Sequence, residues 1–222
     1  MSVARDCIIR YDNSRDASFQ GEWIEANPAN VLKLNNQAGV WMKEVRWHGR
    51  GGQGCWTAAR LLGLAAAQFE GKHALSFPSF GPERRGAPVL GFTRISDEKI
   101  RDRSEVRACD YIVVLDESLV GNDTAGGLKE EGIVIINTTS PQRYEAFFPS
   151  QKLISVDATA IALNMLGRPI TNTAMLGALV AVSGIVKIDS VNSAIRQDMK
   201  TQIQEKNIQV VKTAYESVKG AQ

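Results

Sequence analysis

Only three cysteines occur in the 222 residues: Cys7, Cys55 and Cys109. They lie far apart, and none stands in a C-x-x-C pair. That scarcity argues against a disulfide framework, a structural zinc site or an iron–sulfur cluster held by this chain alone. Reduced thiols in a cytoplasmic setting are the expectation. Histidine is scarcer, with His48 and His73 alone, and neither sits in a recognisable Ser or Cys partner motif. No charge of one sign dominates. The net charge of +2 is too small to argue for nucleic acid or a membrane surface as partner. No apolar run approaches the length of about 18 residues needed to span a bilayer. The opening residues, MSVARDCIIRYDNSRD, lack an apolar signal-peptide core. Internal repeats and low-complexity tracts are missing as well.

What is present suits a globular domain with additions. The chain is 44% hydrophobic and 23% charged. Residues 1–43 stand apart as an extension. They are polar and lack long periodicity, and they carry Trp23, Trp41 and the short apolar run Val31-Leu32-Lys33-Leu34. Such a segment cannot bury enough apolar area to fold alone. The expectation is an extended arm, ordered partly by its own domain and otherwise by neighbouring subunits, with the tryptophans as anchors.

Residues 44–222 alternate strand and helix patterns. Strand-like runs are Glu44–Trp47, His73–Phe77, Val89–Ile95, Tyr111–Leu115, Gly132–Ile136 and Lys152–Val156. Tyr111–Leu115 and Ile133–Ile136 are continuously apolar, as in strands covered on both faces. Helical patterns intervene at Cys55–Phe69, about Glu117–Glu130 and Ala158–Leu166. Three more follow at Thr173–Val186, Val191–Gln204 and Lys206–Lys219, with Asp189 or Ser190 as a plausible cap of the second. Ser96-Asp97-Glu98 reads as a hairpin turn leading into a short strand at Lys99–Arg101. The predicted fold is α/β, a doubly wound, mainly parallel, Rossmann-like sheet. It carries a small antiparallel addition, C-terminal helices and the N-terminal arm.

Three segments carry candidate chemistry. Gly49-Arg50-Gly51-Gly52-Gln53-Gly54 fits G-x-G-x-x-G between a strand and a helix. There the backbone amides of Gly51, Gly52, Gln53 and Gly54 would meet phosphate at a helix N-terminus. A tight turn that merely needs small residues is the bland alternative. A nicotinamide dinucleotide calls for a carboxylate about 20 residues on. The second strand reads His73-Ala74-Leu75-Ser76-Phe77 and offers none. The loop Phe80–Pro88 sets Arg84 and Arg85 between Gly81-Pro82 and Gly86-Ala87-Pro88. Its prolines stiffen it, and its arginine forks suit phosphate, carboxylate or a subunit contact. Asn172 and Thr173 open a helix as caps or as ligand donors, and Asp157 reads as an N-cap. Cys55 lies just inside a helix, where the dipole could lower its pKa, although packing is the stronger reading.

Together RWHGRGGQG (46–54), SFPSFGPERRGAPVLGFTRI (76–95), YIVVLDESLV (111–120), VDATAIALNMLGRPITNTAMLGAL (156–179) and EKNIQVVKTAYE (205–216) resemble one family. It is the gamma subunit of the 2-oxoacid:acceptor oxidoreductases, typified by pyruvate:ferredoxin oxidoreductase. The resemblance covers about residues 43–220 and leaves the extension outside. It implies alpha and beta partner subunits holding thiamine diphosphate and a delta subunit with two [4Fe–4S] clusters, the beta subunit being a further cluster carrier in some members. It implies coenzyme A as acyl acceptor. The electron acceptor would be ferredoxin or, through a flavin subunit, NAD. This chain would contribute coenzyme A binding, through Gly51, Gly52, Gln53, Gly54, Arg84, Arg85, Asn172 and Thr173, and subunit contacts. A purely structural assembly subunit and a free-standing NAD-binding reductase are the competing readings.

Overall fold

The computed structural model describes residues 9–11, 41–79 and 86–220. Its seven strands are β1 (Ile9–Tyr11), β2 (Met42–Arg50), β3 (His73–Pro78), β4 (Pro88–Ser96), β5 (Cys109–Val114), β6 (Leu128–Asn137) and β7 (Lys152–Val156). Its helices are α1 (Cys55–Leu64), which runs into a π turn at Ala65–Phe69, α2 (Ala158–Leu166), α3 (Asn172–Ser183), α4 (Ile188–Asp198) and α5 (Thr201–Lys219). The sheet order is β1-β3-β4-β2-β5-β6-β7. Strands β2, β5, β6 and β7 form a parallel block. Strand β4 runs antiparallel between β2 and β3, and β1 antiparallel to β3. Five of the seven strands therefore point one way, as expected of a mainly parallel α/β sheet.

The continuous apolar runs explain the middle of the sheet. Ile112, Val113, Val114, Val134, Ile135 and Ile136 are each 0% exposed. A strand so apolar on both sides is stable only between two covering layers. On one face Val45, Trp47, Val113 and Ile135 pack under the helices, against Leu61, Leu62, Met175, Leu176 and Val211. The Trp47 indole N–H stays satisfied by donating to Thr93 Oγ1 at 3.1 Å. On the other face Phe77, Phe92, Ile112, Val114, Val134 and Ile136 pack under Ile100, Val106, Tyr144 and Phe148, which lie in irregular segments and short 3₁₀ turns.

Four expectations are corrected. No helix spans 117–130: a 3₁₀ turn covers Glu117–Leu119, and β6 begins at Leu128. Gly127 supplies the reason. It sits at φ 74°, and a Cβ there would lie 1.9 Å from the Arg107 carbonyl, so the chain crosses at a glycine instead of coiling. Lys99–Arg101 is not a strand, and the antiparallel piece is β4 against its two neighbours. Helix α4 starts before Asp189 and Ser190, its first turn capped from outside by Glu70. The C-terminal helices break at Met199-Lys200, where both residues are extended, and α5 runs unbroken to Lys219. Of the arm, Trp23 and the run Val31–Leu34 lie outside the described residues. Trp41 receives the Lys72 ammonium 3.6 Å from its ring centroid.

Candidate functional site

In an open α/β sheet, ligands meet the carboxyl ends of the parallel strands. Here that edge is built by the turn after β2 and by the residues that follow β5, β6 and β7. They enclose an open cleft of about 470 Å³, lined among others by Gln53, Asp116, Glu117, Asn137, Asp157 and Thr159.

Arg50, the last residue of β2, organises the turn. Its guanidinium donates from Nε to Asp116 Oδ2 at 2.9 Å, from Nη2 to Ser118 Oγ at 2.8 Å and from Nη1 to the Gly86 carbonyl at 3.1 Å. Gln53 folds back so that its Oε1 accepts from the Arg50 amide at 2.7 Å, while its Nε2 donates to Asp116 Oδ2 at 3.0 Å. Burial pushes the Asp116 carboxyl pKa up. The bonds from Ser118, Gln53 and Arg50 outweigh that and hold it below the usual carboxylate value. Asp116 is thus an ionised hub joining the end of β5 to the glycine turn.

The turn is also laced to the base of the arginine loop. The Gly51 amide donates to the Ala87 carbonyl at 2.8 Å, and the Gly86 amide returns the bond to the Gly51 carbonyl at 3.0 Å. The Gln53 amide donates to the Arg50 carbonyl at 2.9 Å. Two of the four amides expected to face phosphate, those of Gly51 and Gln53, are therefore engaged within the chain. Gly52, at φ 95°, is exposed and has no atom within 4 Å of a notional Cβ. Gly54, at φ 80°, forms the N-cap of α1. Arg84 and Arg85 lie outside the described residues, but the loop's end at Gly86-Ala87 is tied to the turn.

Asn172 and Thr173 are not among the residues that line the cleft, and the N-cap position of α3 is Thr171, which makes no side-chain cap. Asn172 is 5% exposed; its Nδ2 donates to the Gly54 carbonyl at 3.4 Å, and its Oδ1 accepts from the Thr173 amide. Thr173 is 0% exposed and donates to Asn207 Oδ1 on α5 at 2.9 Å. Asn172 supports the turn from below, and Thr173 ties α3 to α5. Asp157 caps α2, accepting from the Ala160 amide at 2.8 Å. Cys55 is buried, its Sγ donating to the Trp47 carbonyl at 3.4 Å; burial pushes its pKa to about 12, which leaves a packing thiol and no nucleophile. His48 accepts from Arg46 Nε at 3.0 Å. Burial, then the Arg46 charge, takes its pKa to about 3, so it is neutral.

Sequence reading did not single out Arg50, Asp116 or the Asn137–Thr159 pair. In that pair Asn137 Nδ2 donates to Thr159 Oγ1 at 3.0 Å and ties β6 to α2. Position was the usable signal: each follows a strand-like run at the carboxyl edge. The resulting site has two unlike halves. The cleft wall is rich in acceptors and hydroxyls. The adjoining turn and arginine-loop base supply amides at a helix N-terminus. Among the described residues, no group of three or more His, Cys, Asp and Glu is placed to hold a metal ion, and no helix is long and apolar enough to cross a membrane.

The fold and edge define an open, mainly parallel α/β domain with a candidate ligand site at the carboxyl ends of its parallel strands. The family model for pyruvate ferredoxin/flavodoxin oxidoreductase matches residues 44–217. The chain is 50% identical over 179 residues to pyruvate synthase subunit PorC of Methanothermobacter marburgensis, covering 80% of this chain and 98% of that protein. It is 49% identical over 179 residues to the pyruvate/ketoisovalerate oxidoreductases common subunit gamma of Pyrococcus furiosus, covering 79% and 96%. The crystal structure of pyruvate oxidoreductase subunit PORC from Thermotoga maritima superposes with a TM-score of 0.72 at 38% identity, over 79% of this chain and 96% of that one. A 2-oxoglutarate:ferredoxin oxidoreductase from Magnetococcus marinus, solved with 2-oxoglutarate, coenzyme A and succinyl-CoA, shares the fold. Its TM-score is 0.69 at 15% identity, over 82% of this chain and 31% of that one. The chain belongs to the pyruvate ferredoxin/flavodoxin oxidoreductase family, as a gamma subunit of an acyl-CoA-forming oxidoreductase.

Proposed function

We propose that this gamma subunit contributes the coenzyme A site of its complex, together with contacts to the other subunits. The supporting observation is the lacing of the glycine turn to the arginine-loop base, through Gly51–Ala87, Gly86–Gly51 and Arg50–Gly86, beside an acceptor-rich cleft. Coenzyme A presents phosphates to one half of such a site and hydroxyl and amide donors to the other. Gly52 and Gly54, with Arg84 and Arg85, would meet the phosphates. Asp116 and Gln53 would hold the turn in place. Thiamine diphosphate would lie on the alpha and beta subunits and [4Fe–4S] clusters on the delta subunit. Ferredoxin would be the electron acceptor and the cytoplasm the setting. Titrating coenzyme A into the assembled complex carrying Arg84→Ala or Arg85→Ala tests the reading. At least about tenfold weaker binding is expected for loss of a charge-assisted phosphate contact. Affinity unchanged in both variants removes the arginines from the site.

A second reading is a purely assembly role. It is favoured by the internal use of the Gly51 and Gln53 amides and the burial of Thr173. On that reading a bulky residue at Gly52 disrupts assembly while the remaining complex binds coenzyme A normally.

A further inference from the structure

We propose that Thr171 is a ligand-contacting residue of the cleft at the carboxyl edge, and that this cleft takes the uncharged pantetheine arm of coenzyme A. The inference rests on the reading of the chain as a coenzyme A site and adds which end of the ligand lies where. Thr171 stands just before α3, lines the cleft and is 5% exposed. Its carbonyl accepts from the Met175 amide at 2.9 Å and so starts the helix. Its hydroxyl caps nothing and has no hydrogen-bond partner among the described residues. A buried hydroxyl without a partner is costly, so one that opens on a cleft is satisfied by what enters there. The other buried or half-buried polar side chains of this wall are spent within the chain. Gln53 joins the Arg50 amide to Asp116. Asn137 and Thr159 bond each other, and the Thr138 hydroxyl donates to Glu117. Asp116 accepts from Arg50, Gln53 and Ser118. Thr171 is the buried group of the wall that is left to a ligand.

The charge of the wall selects the part of the ligand. Asp116, Glu117 and Asp157 line the cleft, and among the described residues no lysine, arginine or histidine does. A phosphate seated there would face carboxylates at short range, and like charges repel strongly where water is partly excluded. An uncharged chain of amides and a hydroxyl can instead donate to carboxylate oxygens and exchange a hydrogen bond with Thr171. Leu115 and Pro169 in the same wall suit its methylene groups. Coenzyme A divides along this line. Its phosphates sit at the nucleotide end, and its amides and a free hydroxyl sit on pantetheine. The phosphates are then left to the glycine turn and the arginine-loop side.

The test titrates the assembled complex, carrying wild-type chain, Thr171→Val or Thr171→Ser, with coenzyme A, with phosphopantetheine and with the adenosine bisphosphate that forms the nucleotide end. Valine keeps the shape and removes the hydroxyl. It should weaken coenzyme A and phosphopantetheine by about threefold to tenfold, the worth of one hydrogen bond, and leave the bisphosphate unchanged. Serine keeps the hydroxyl and should bind all three as wild type does. Weaker bisphosphate binding in Thr171→Val overturns the proposal, because the nucleotide end would then lie in the cleft or the fold would have moved. Equal loss in Thr171→Ser also overturns it, since the hydroxyl would not be the contact. If Arg84→Ala or Arg85→Ala weakens coenzyme A while Thr171→Val does not, the assignment of the cleft fails alone. If none of the three variants changes the affinity, the coenzyme A reading of the chain fails with it.

Discussion

A side chain at position 54 has nowhere to go. The backbone there is left-handed at φ 80°, and a Cβ would lie 2.4 Å from Asn172 Nδ2. Gly54→Ala should therefore cost at least about 2 kcal/mol, from the left-handed backbone plus the clash. In Gly54→Ala/Asn172→Ala the loss should fall short of the sum of the two singles, because the smaller side chain relieves the collision. Denaturant unfolding of the four proteins measures this, and strict additivity would show that the two residues do not meet. His48 gives a second residue-level expectation. Its folded pKa of about 3 lies below the ordinary 6.5 because burial, and then Arg46, disfavour the cation. The unfolded chain thus binds the proton first. Stability is intact above pH 6.5 and is lost as pH falls from there toward 3, by at most about 1.4 kcal/mol per unit. His48→Gln should flatten that acid dependence. An imidazole seen by NMR to titrate at its ordinary value would end the argument.

Among the elements, α4 depends on a distant carboxylate. Its N-cap residue, Lys187, makes no side-chain cap. Glu70, at the end of the π turn, accepts from the Lys187 amide at 2.8 Å and from Ser190 Oγ at 2.6 Å. Burial raises the Glu70 pKa, but these two bonds prevail and hold it below the ordinary value, so the cap is charged and weakens only in acid. Glu70→Ala should cost about 0.5–2 kcal/mol, the range for losing an N-cap. Hydrogen exchange in the complex should show the first turn of α4 opening faster, while α5 is unchanged. Equal protection in both helices would mean that the cap is dispensable. The same element shows the limit of sequence reading. Ser190 has cap chemistry, and proximity in sequence makes it the natural candidate. The partner that makes the bond lies 120 residues away, and no local pattern points to it. The missing helix at 117–130 is a similar case: the meaning of Gly127 depends on the Arg107 carbonyl, 20 residues earlier in the chain.

Across the whole molecule, the sheet's outer strand on the β3 side comes from outside the matched family region. β1 pairs Ile9, Arg10 and Tyr11 with Ser76, Leu75 and Ala74. An unpaired edge is a template for further strand pairing, and a short strand closes it. Removing residues 1–12 should leave the α/β core folded and speed exchange of the amides in 74–76. Mass-resolved exchange of the complex reads this, and unaltered protection would show that another subunit covers the edge.

The α/β class, the parallel apolar strands, the glycine turn and the family were legible in the chain because each rests on short-range signals. Runs such as Ile133–Ile136 admit few environments, and glycines between strand and helix need only their neighbours to be read. The hub of Arg50, Gln53 and Asp116, the seating of Asn172 under Gly54, the inward turn of Thr173 and the capping of α4 were decided by tertiary structure alone. Each is a contact between residues made adjacent only by the sheet order. A hydrogen bond constrains geometry over about 3 Å, and a one-dimensional pattern holds no record of which distant groups come that close.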